Sequence, residues 1–169
     1  MRTRQLLLLL GAFAVATLAL WRPGGGVGGG PSRAPAGEGV VTRVVDGDTV
    51  HVALGGRDET VRYIGIDTPE SVKPDTPVQC FAEAASSANR RLVDGQAVRV
   101  AYDVEQRDRY GRLLAYVYRV RDGTFVNAAL VRDGYARTLT IPPNVRFAAQ
   151  FAALARRARE GRRGLWRTC

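Results

Sequence analysis

Apolar and polar residues alternate through the middle of the chain, then give way to a helical period. Val40 to Val45 and Thr49 to Leu54 read as two strands joined at "DGD", residues Asp46 to Asp48. "LGGRDE" (Leu54 to Glu59) has turn composition, and Thr60 to Ile66 reads as a third strand. A polar loop, "SVKPDTP", follows. The pattern predicts a helix over Gln79 to Val93: Phe81, Ala85, Ala88 and Leu92 recur at helical spacing, and Asp94-Gly95 supplies the stop. Ala97 to Val104 is a fourth predicted strand, Glu105 to Arg112 a charged loop, and Leu113 to Val120 a fifth strand. Thr124 to Arg132 is a short amphipathic helix closed by Gly134. After "IPPN", Asn144 suits the N-cap of a last helix, whose stripe of Phe147, Phe151, Leu154 and Ala158 runs to about Arg159. The order β-β-β-α-β-β-α-α fits a small closed barrel with packed helices, of α+β class. A five-stranded OB-type barrel with three helices is the expected form.

The first 39 residues have another character. Arg2 and Arg4 precede a charge-free apolar run of 16 residues, Leu6 to Trp21. Residues 1–21 therefore read as a signal peptide or an N-terminal membrane anchor. Residues 22–39 hold eight glycines and three prolines and cannot bury apolar surface, so they read as a flexible linker. The folded domain is expected over 40–169.

Composition narrows the chemistry. The chain carries a formal charge of +9, and Lys73 is its only lysine. Such an arginine excess follows from codon bias or from a polyanionic partner, since the planar guanidinium fork suits phosphate. His51 is the only histidine, which excludes histidine-rich zinc sites, and no serine sits in a nucleophile elbow. Cys80 and Cys169 are the only cysteines; in an exported domain that even number suggests one disulfide, against two free thiols. The arginines Arg156, Arg157, Arg159, Arg162 and Arg163 cluster near the C-terminus and read first as a solvated face.

Acidic groups collect at strand ends. Asp48 falls where the first strand turns into the second, and Asp67 at the exit of the third. Brought to one rim, two carboxylates and nearby loop carbonyls form a hard, all-oxygen donor set that selects Ca²⁺ or Mg²⁺. In a regular strand Arg62, Ile64 and Ile66 share one face, with Asp67 at its exit. Arg62 and Arg112 together would clamp a phosphate. Glu70, across Pro69, is placed to take a proton from an attacking water.

"VVDGDTV", "VRYIGIDTPE", "DRYGRLLAYVY" and "VNAALVRDGYA" resemble, in order, the matching segments of the staphylococcal nuclease (thermonuclease) family, and the resemblance covers Val40 to Trp166. It implies an OB-fold and Ca²⁺-dependent hydrolysis of DNA and RNA with little sequence specificity, leaving 3′-phosphate ends. It further implies an action on single-stranded or locally melted substrate by a monomer, which the leader would leave secreted or anchored on the outer face of the membrane. Asp48 and Asp67 match calcium carboxylates, and Thr68 matches a position whose backbone carbonyl binds the ion. Glu70 matches the general base, and Arg62 and Arg112 the arginines on the scissile phosphate. Asp46 would support the metal acids from behind. Tyr110 matches a contact to a terminal phosphate, with Arg109 in place of the usual lysine. The family prototype flanks its nucleotide with two tyrosines; "YARTLTIPPN" has neither, and Thr138, Leu139, Thr140 and Ile141 fill the segment.

Overall fold

The computed structural model describes residues 37–71 and 77–169. The leader, most of the linker, and residues 72–76 of the polar loop lie outside that range. Among the described residues no helix is long and apolar enough to cross a membrane.

Seven strands and four helices follow one another: β1 (Gly37–Val44), β2 (Thr49–Leu54), β3 (Arg57–Tyr63), β4 (Ile66–Asp67), α1 (Ala82–Val93), β5 (Ala97–Ala101), β6 (Leu113–Arg119), α2 (Val126–Arg132), β7 (Arg137–Thr138), α3 (Ala148–Glu160) and α4 (Leu165–Thr168). Five of the strands close a barrel in the order β1-β2-β3-β6-β5, and β4 and β7 form a separate two-stranded ribbon. The barrel is antiparallel except where β3 runs parallel to β6. This is the expected five-stranded OB-type barrel with three packed helices, to which the one-turn α4 is added.

The barrel interior is built from small aliphatic residues, most of them β-branched. Val50, Val52, Val61, Val98, Val100, Leu113, Ala115 and Val117 are all buried. Such side chains fill the narrow lumen of a five-stranded barrel without straining their rotamers. A second apolar layer lies between the barrel and the helices, where Tyr116, Phe125, Phe147 and Phe151 pack edge-on or tilted against one another.

Some boundaries shift, since β3 already starts at Arg57 inside the expected turn, β5 ends at Ala101 and α2 starts at Val126, and four further departures are larger. The barrel begins at Gly37, three residues inside the span read as linker, because Gly37, Glu38 and Gly39 pair with β5 through their backbones. Backbone pairing needs no side-chain alternation, so a glycine-rich edge carries no strand signal.

The third strand does not run through to Ile66. It stops at Tyr63; Ile64-Gly65 turns, and Ile66–Asp67 pairs instead with β7. Gly65 has φ +81°, and a Cβ there would run into the Phe151 ring. Arg62, Ile64 and Ile66 therefore do not share a regular strand face.

The helix expected from Gln79 begins at Ala82, since Phe81 adopts the left-handed region at φ 73°. Its buried face is Ala82, Ala85, Ser86, Ala88, Asn89 and Val93, with Phe81 and Leu92 at the margin. Finally, Asn144 is not the cap of α3, whose first residue is Ala148. Its amide instead clamps the backbone of Glu105 in both directions, accepting from the N–H and donating to the C=O at 2.8 Å each.

Candidate active site

The turn between β1 and β2 sets the first acid. Asp46 Oδ1 accepts the Asp48 N–H at 3.0 Å, which closes the turn on itself. Gly47 is required here by packing: a Cβ would lie 2.6–2.7 Å from the Thr68 side chain. With only hydrogen at that position, Thr68 drops against the turn. Its N–H and hydroxyl then both donate to Asp48 Oδ2, at 2.8 and 3.1 Å. Thr49 donates to the other carboxylate oxygen at 3.2 Å.

The turn is also held from below. The Asp46 carbonyl accepts from Asn89 Nδ2 at 2.9 Å, and Asn89 Oδ1 accepts from the Tyr63 hydroxyl at 3.1 Å. Both side chains are buried, so this relay ties the acidic turn rigidly to α1. Burial holds the Tyr63 phenol far above its ordinary range, and it stays a neutral donor.

Asp48 is only 4% exposed. Its carboxyl is pushed up to about 6, mainly because burial strips water from the charged form and secondarily because Asp46 lies nearby. Arg62 and the Thr68 donors oppose the shift without cancelling it.

Arg62 bridges the two acids. Its NH1 meets Asp48 Oδ2 at 2.5 Å, and its NH2 meets Asp67 Oδ1 at 2.9 Å. NH1 also reaches the Ile66 carbonyl at 3.3 Å. The turn at Ile64-Gly65 makes this possible by folding Asp67 back beside the arginine five residues earlier. Asp67 itself is about half exposed.

Arg112 is held quite differently. The Asp108 carboxylate gathers the N–H groups of Tyr110 and Arg112 and the Arg112 Nε, at 2.9, 3.0 and 2.7 Å. One side chain thus organises the whole turn. It leaves both terminal nitrogens of Arg112 with no hydrogen-bond partner among the described residues. Asp108 was not singled out from the sequence. Its position four residues before Arg112, in a turn with glycine, is the signal that could have found it.

Glu70 sits on a segment fastened to the start of α1. Its backbone N–H donates to Gln79 Oε1, and its carbonyl accepts the Gln79 N–H, both at 3.0 Å.

Asp46, Asp48, Arg62, Asp67, Thr68, Glu70 and Arg112 line one cavity of about 60 Å³. A larger groove of about 460 Å³ adjoins it and shares the walls Arg62 and Arg112. Arg109 and Tyr110 line this groove, with the guanidinium of Arg109 over the Tyr110 ring at 4.8 Å. Leu139 and Ile141 form its far wall, and Thr140 between them is not part of the lining.

The small cavity suits a hard cation. Among the described residues no three acidic, histidine or cysteine groups converge tightly enough to hold an ion alone. The available donors are the Asp48 and Asp67 carboxylates and the oxygens of Thr68. That set leaves several positions of a Ca²⁺ shell to water, which Ca²⁺ tolerates. Burial, which raises the Asp48 carboxyl, leaves its ionised form short of solvation that a bound cation would supply.

Elsewhere Cys80 and Cys169 are joined as a disulfide that ties the last residue of the chain to the start of α1.

Residues 60–168 match the family model described as staphylococcal nuclease homologue. The chain is 42% identical over 127 residues to a thermonuclease of Staphylococcus intermedius, an overlap that spans 75% of this chain and 74% of the relative. It is 39% identical over 126 residues to a thermonuclease of Staphylococcus hyicus, covering 75% of this chain and 73% of that one. Endonuclease YncB of Bacillus subtilis is 40% identical over 126 residues, 73% of this chain and 59% of the relative.

Proposed function

Because the chain belongs to the staphylococcal nuclease family and is a nuclease of that kind, we propose that it is an exported, Ca²⁺-dependent enzyme that hydrolyses DNA and RNA. It cuts phosphodiester bonds with little sequence preference and leaves 3′-phosphate ends. The observation that carries this reading is the small acidic cavity at the end of the groove. There Asp48, Asp67 and Glu70 face Arg62 and Arg112.

Asp48, Asp67 and the Thr68 carbonyl would hold the ion. Bound Ca²⁺ supplies positive charge beside the scissile phosphate and orients a water near it. The residues of the chain do the rest. Glu70 takes a proton from the attacking water, whose oxygen forms the new bond to phosphorus. The P–O5′ bond breaks opposite, and the 5′ oxygen leaves to be protonated from solvent. The phosphate stays on the 3′ oxygen.

Charge builds on the non-bridging oxygens during attack. The open terminal nitrogens of Arg112 are preorganised to receive it, because Asp108 fixes the guanidinium before substrate arrives. Arg62 plays a second part. It pairs with Asp48 and Asp67 at the wall shared by cavity and groove, where its fork would meet a phosphate oxygen beside the one held by Arg112.

Export accords with the apolar leader and with a disulfide in the folded domain. The leader acts as a signal peptide or as an anchor on the outer face of the membrane, and the domain works as a monomer.

The test is cleavage of plasmid DNA and of single-stranded RNA with Ca²⁺ or with EDTA, followed by end-group analysis. Activity only with Ca²⁺, and 3′-phosphate products, are expected. Undiminished cleavage in EDTA would refute the reading.

A further inference from the structure

The last 14 residues, 156–169, contain six arginines and one acid, Glu160. All six arginines are exposed. None forms an ion pair with a described acidic residue, whereas Arg62, Arg107, Arg112, Arg119, Arg132 and Arg146 all do. Exposed arginines without ion pairs keep their positive field for something outside the molecule.

This patch is connected to the cavity. Arg159, near the end of α3, lies over the Trp166 ring at 4.5 Å, and Arg137 on β7 lies over the same ring at 5.9 Å. Arg156, three residues before Arg159, shares its helix face. In the β4–β7 ribbon Arg137 pairs directly with Asp67, one of the cavity acids. The row Arg156, Arg159, Arg137 thus leads from the outer helix to the rim of the cavity, with Trp166 fixing the two inner guanidiniums.

We propose that this row is an auxiliary binding surface for nucleic acid, holding phosphates of the strand beyond those at the scissile bond. The identity of the polyanion rests on the nuclease reading above. The surface recognises only backbone charge, so it raises affinity for long chains without adding sequence preference.

The experiment is fluorescence anisotropy of the full chain with a labelled 30-nucleotide single strand in EDTA, so that binding is read without cleavage. Parent, Arg137→Gln/Arg156→Gln/Arg159→Gln, and the same triple change to Lys are compared over a range of salt. Losing three phosphate contacts should lower the slope of log K against log salt by about 2, at roughly 0.7 per contact on a single strand. Affinity at low salt should fall at least about tenfold, and the Lys triple variant should keep both. A tetranucleotide, too short to extend past Arg137 to α3, should bind an Arg156→Gln/Arg159→Gln variant as it binds the parent. An unchanged slope for the 30-mer would overturn the proposal and leave a solvated face. So would phosphatidylglycerol vesicle binding that is lost in the Gln variant while the 30-mer is held normally. If the Gln triple variant melts early, the single Arg156→Gln change must still lower the slope by about 0.7. Failure of the nuclease reading shows separately, as an absence of Ca²⁺-dependent cleavage by the parent.

Discussion

Replacing Asp48 by Asn should stabilise the metal-free protein while destroying its activity. Asp48 is buried, and its carboxyl rises from an ordinary 3.8 to about 6. A folded value above the unfolded one means that the native state holds the proton more tightly. The favourable contribution is therefore complete below about pH 4 and is lost as pH rises through 6. At pH 7.5 the ionised, buried carboxylate costs the native state about 3 kcal/mol relative to its protonated form, at 1.36 kcal/mol per unit. Asn keeps the shape and an acceptor for the Thr68 N–H. The attraction of Arg62 is already contained in that figure, and Arg62 retains Asp67; what Asn does lose is one acceptor, since its amide nitrogen cannot take the place of a carboxylate oxygen. A net gain of about 1 to 2 kcal/mol is the expected balance. The assay is urea unfolding in EDTA at pH 7.5 and pH 4.5, followed by tryptophan fluorescence. The variant should be the more stable at pH 7.5, and the advantage should vanish at pH 4.5. Adding Ca²⁺ should stabilise the parent only. A variant less stable than the parent at pH 7.5 would show that the Arg62 pair outweighs the burial of Asp48.

Arg112→Lys keeps the charge but loses the fork that Asp108 aims; kcat should fall at least about 100-fold, the scale of one preorganised donor, and an unchanged kcat would remove Arg112 from the reaction. Glu70→Gln should lower turnover comparably while Ca²⁺ affinity, read by calorimetry, stays within a few-fold; lost Ca²⁺ binding would make Glu70 a ligand instead. Cys169→Ser opens a covalent loop of 89 residues, and thermal unfolding should show a loss of up to about 4 to 5 kcal/mol, with an unaltered melt arguing against any structural contribution. The groove wall is aliphatic, and Ile141 is 58% exposed on it, so Ile141→Tyr should tighten a nucleoside bisphosphate by the 1 to 3 kcal/mol of a stacked base. Thr140→Tyr, outside the lining, should not, and equal affinities for the two variants in titration calorimetry would contradict this geometry.

Local signals made most of the fold legible. The alternating valines of β2 and β5 and the apolar runs of β1 and β6 read as strands, and Phe147, Phe151 and Leu154 as the last helix, because these patterns are properties of neighbouring residues. The ordered motifs around Asp48, Asp67, Glu70 and Arg112 likewise named the candidate site before any geometry was known. What the sequence could not contain is whatever depends on a distant partner. The break at Tyr63 exists because Phe151, some 90 residues on, occupies the space beside Gly65 and because β7 offers Ile66 a partner. Asn144 has every mark of a helix cap, yet the Glu105 backbone claims it, since an orphaned buried amide costs more than an uncapped helix. The strand at Gly37 is held by hydrogen bonds that leave no trace in side chains. Above all, the double pairing of Arg62 is a tertiary fact. Only when the chain folds Asp67 back toward Asp48 does one guanidinium find two carboxylates, and Coulomb attraction over less than 3 Å holds it there.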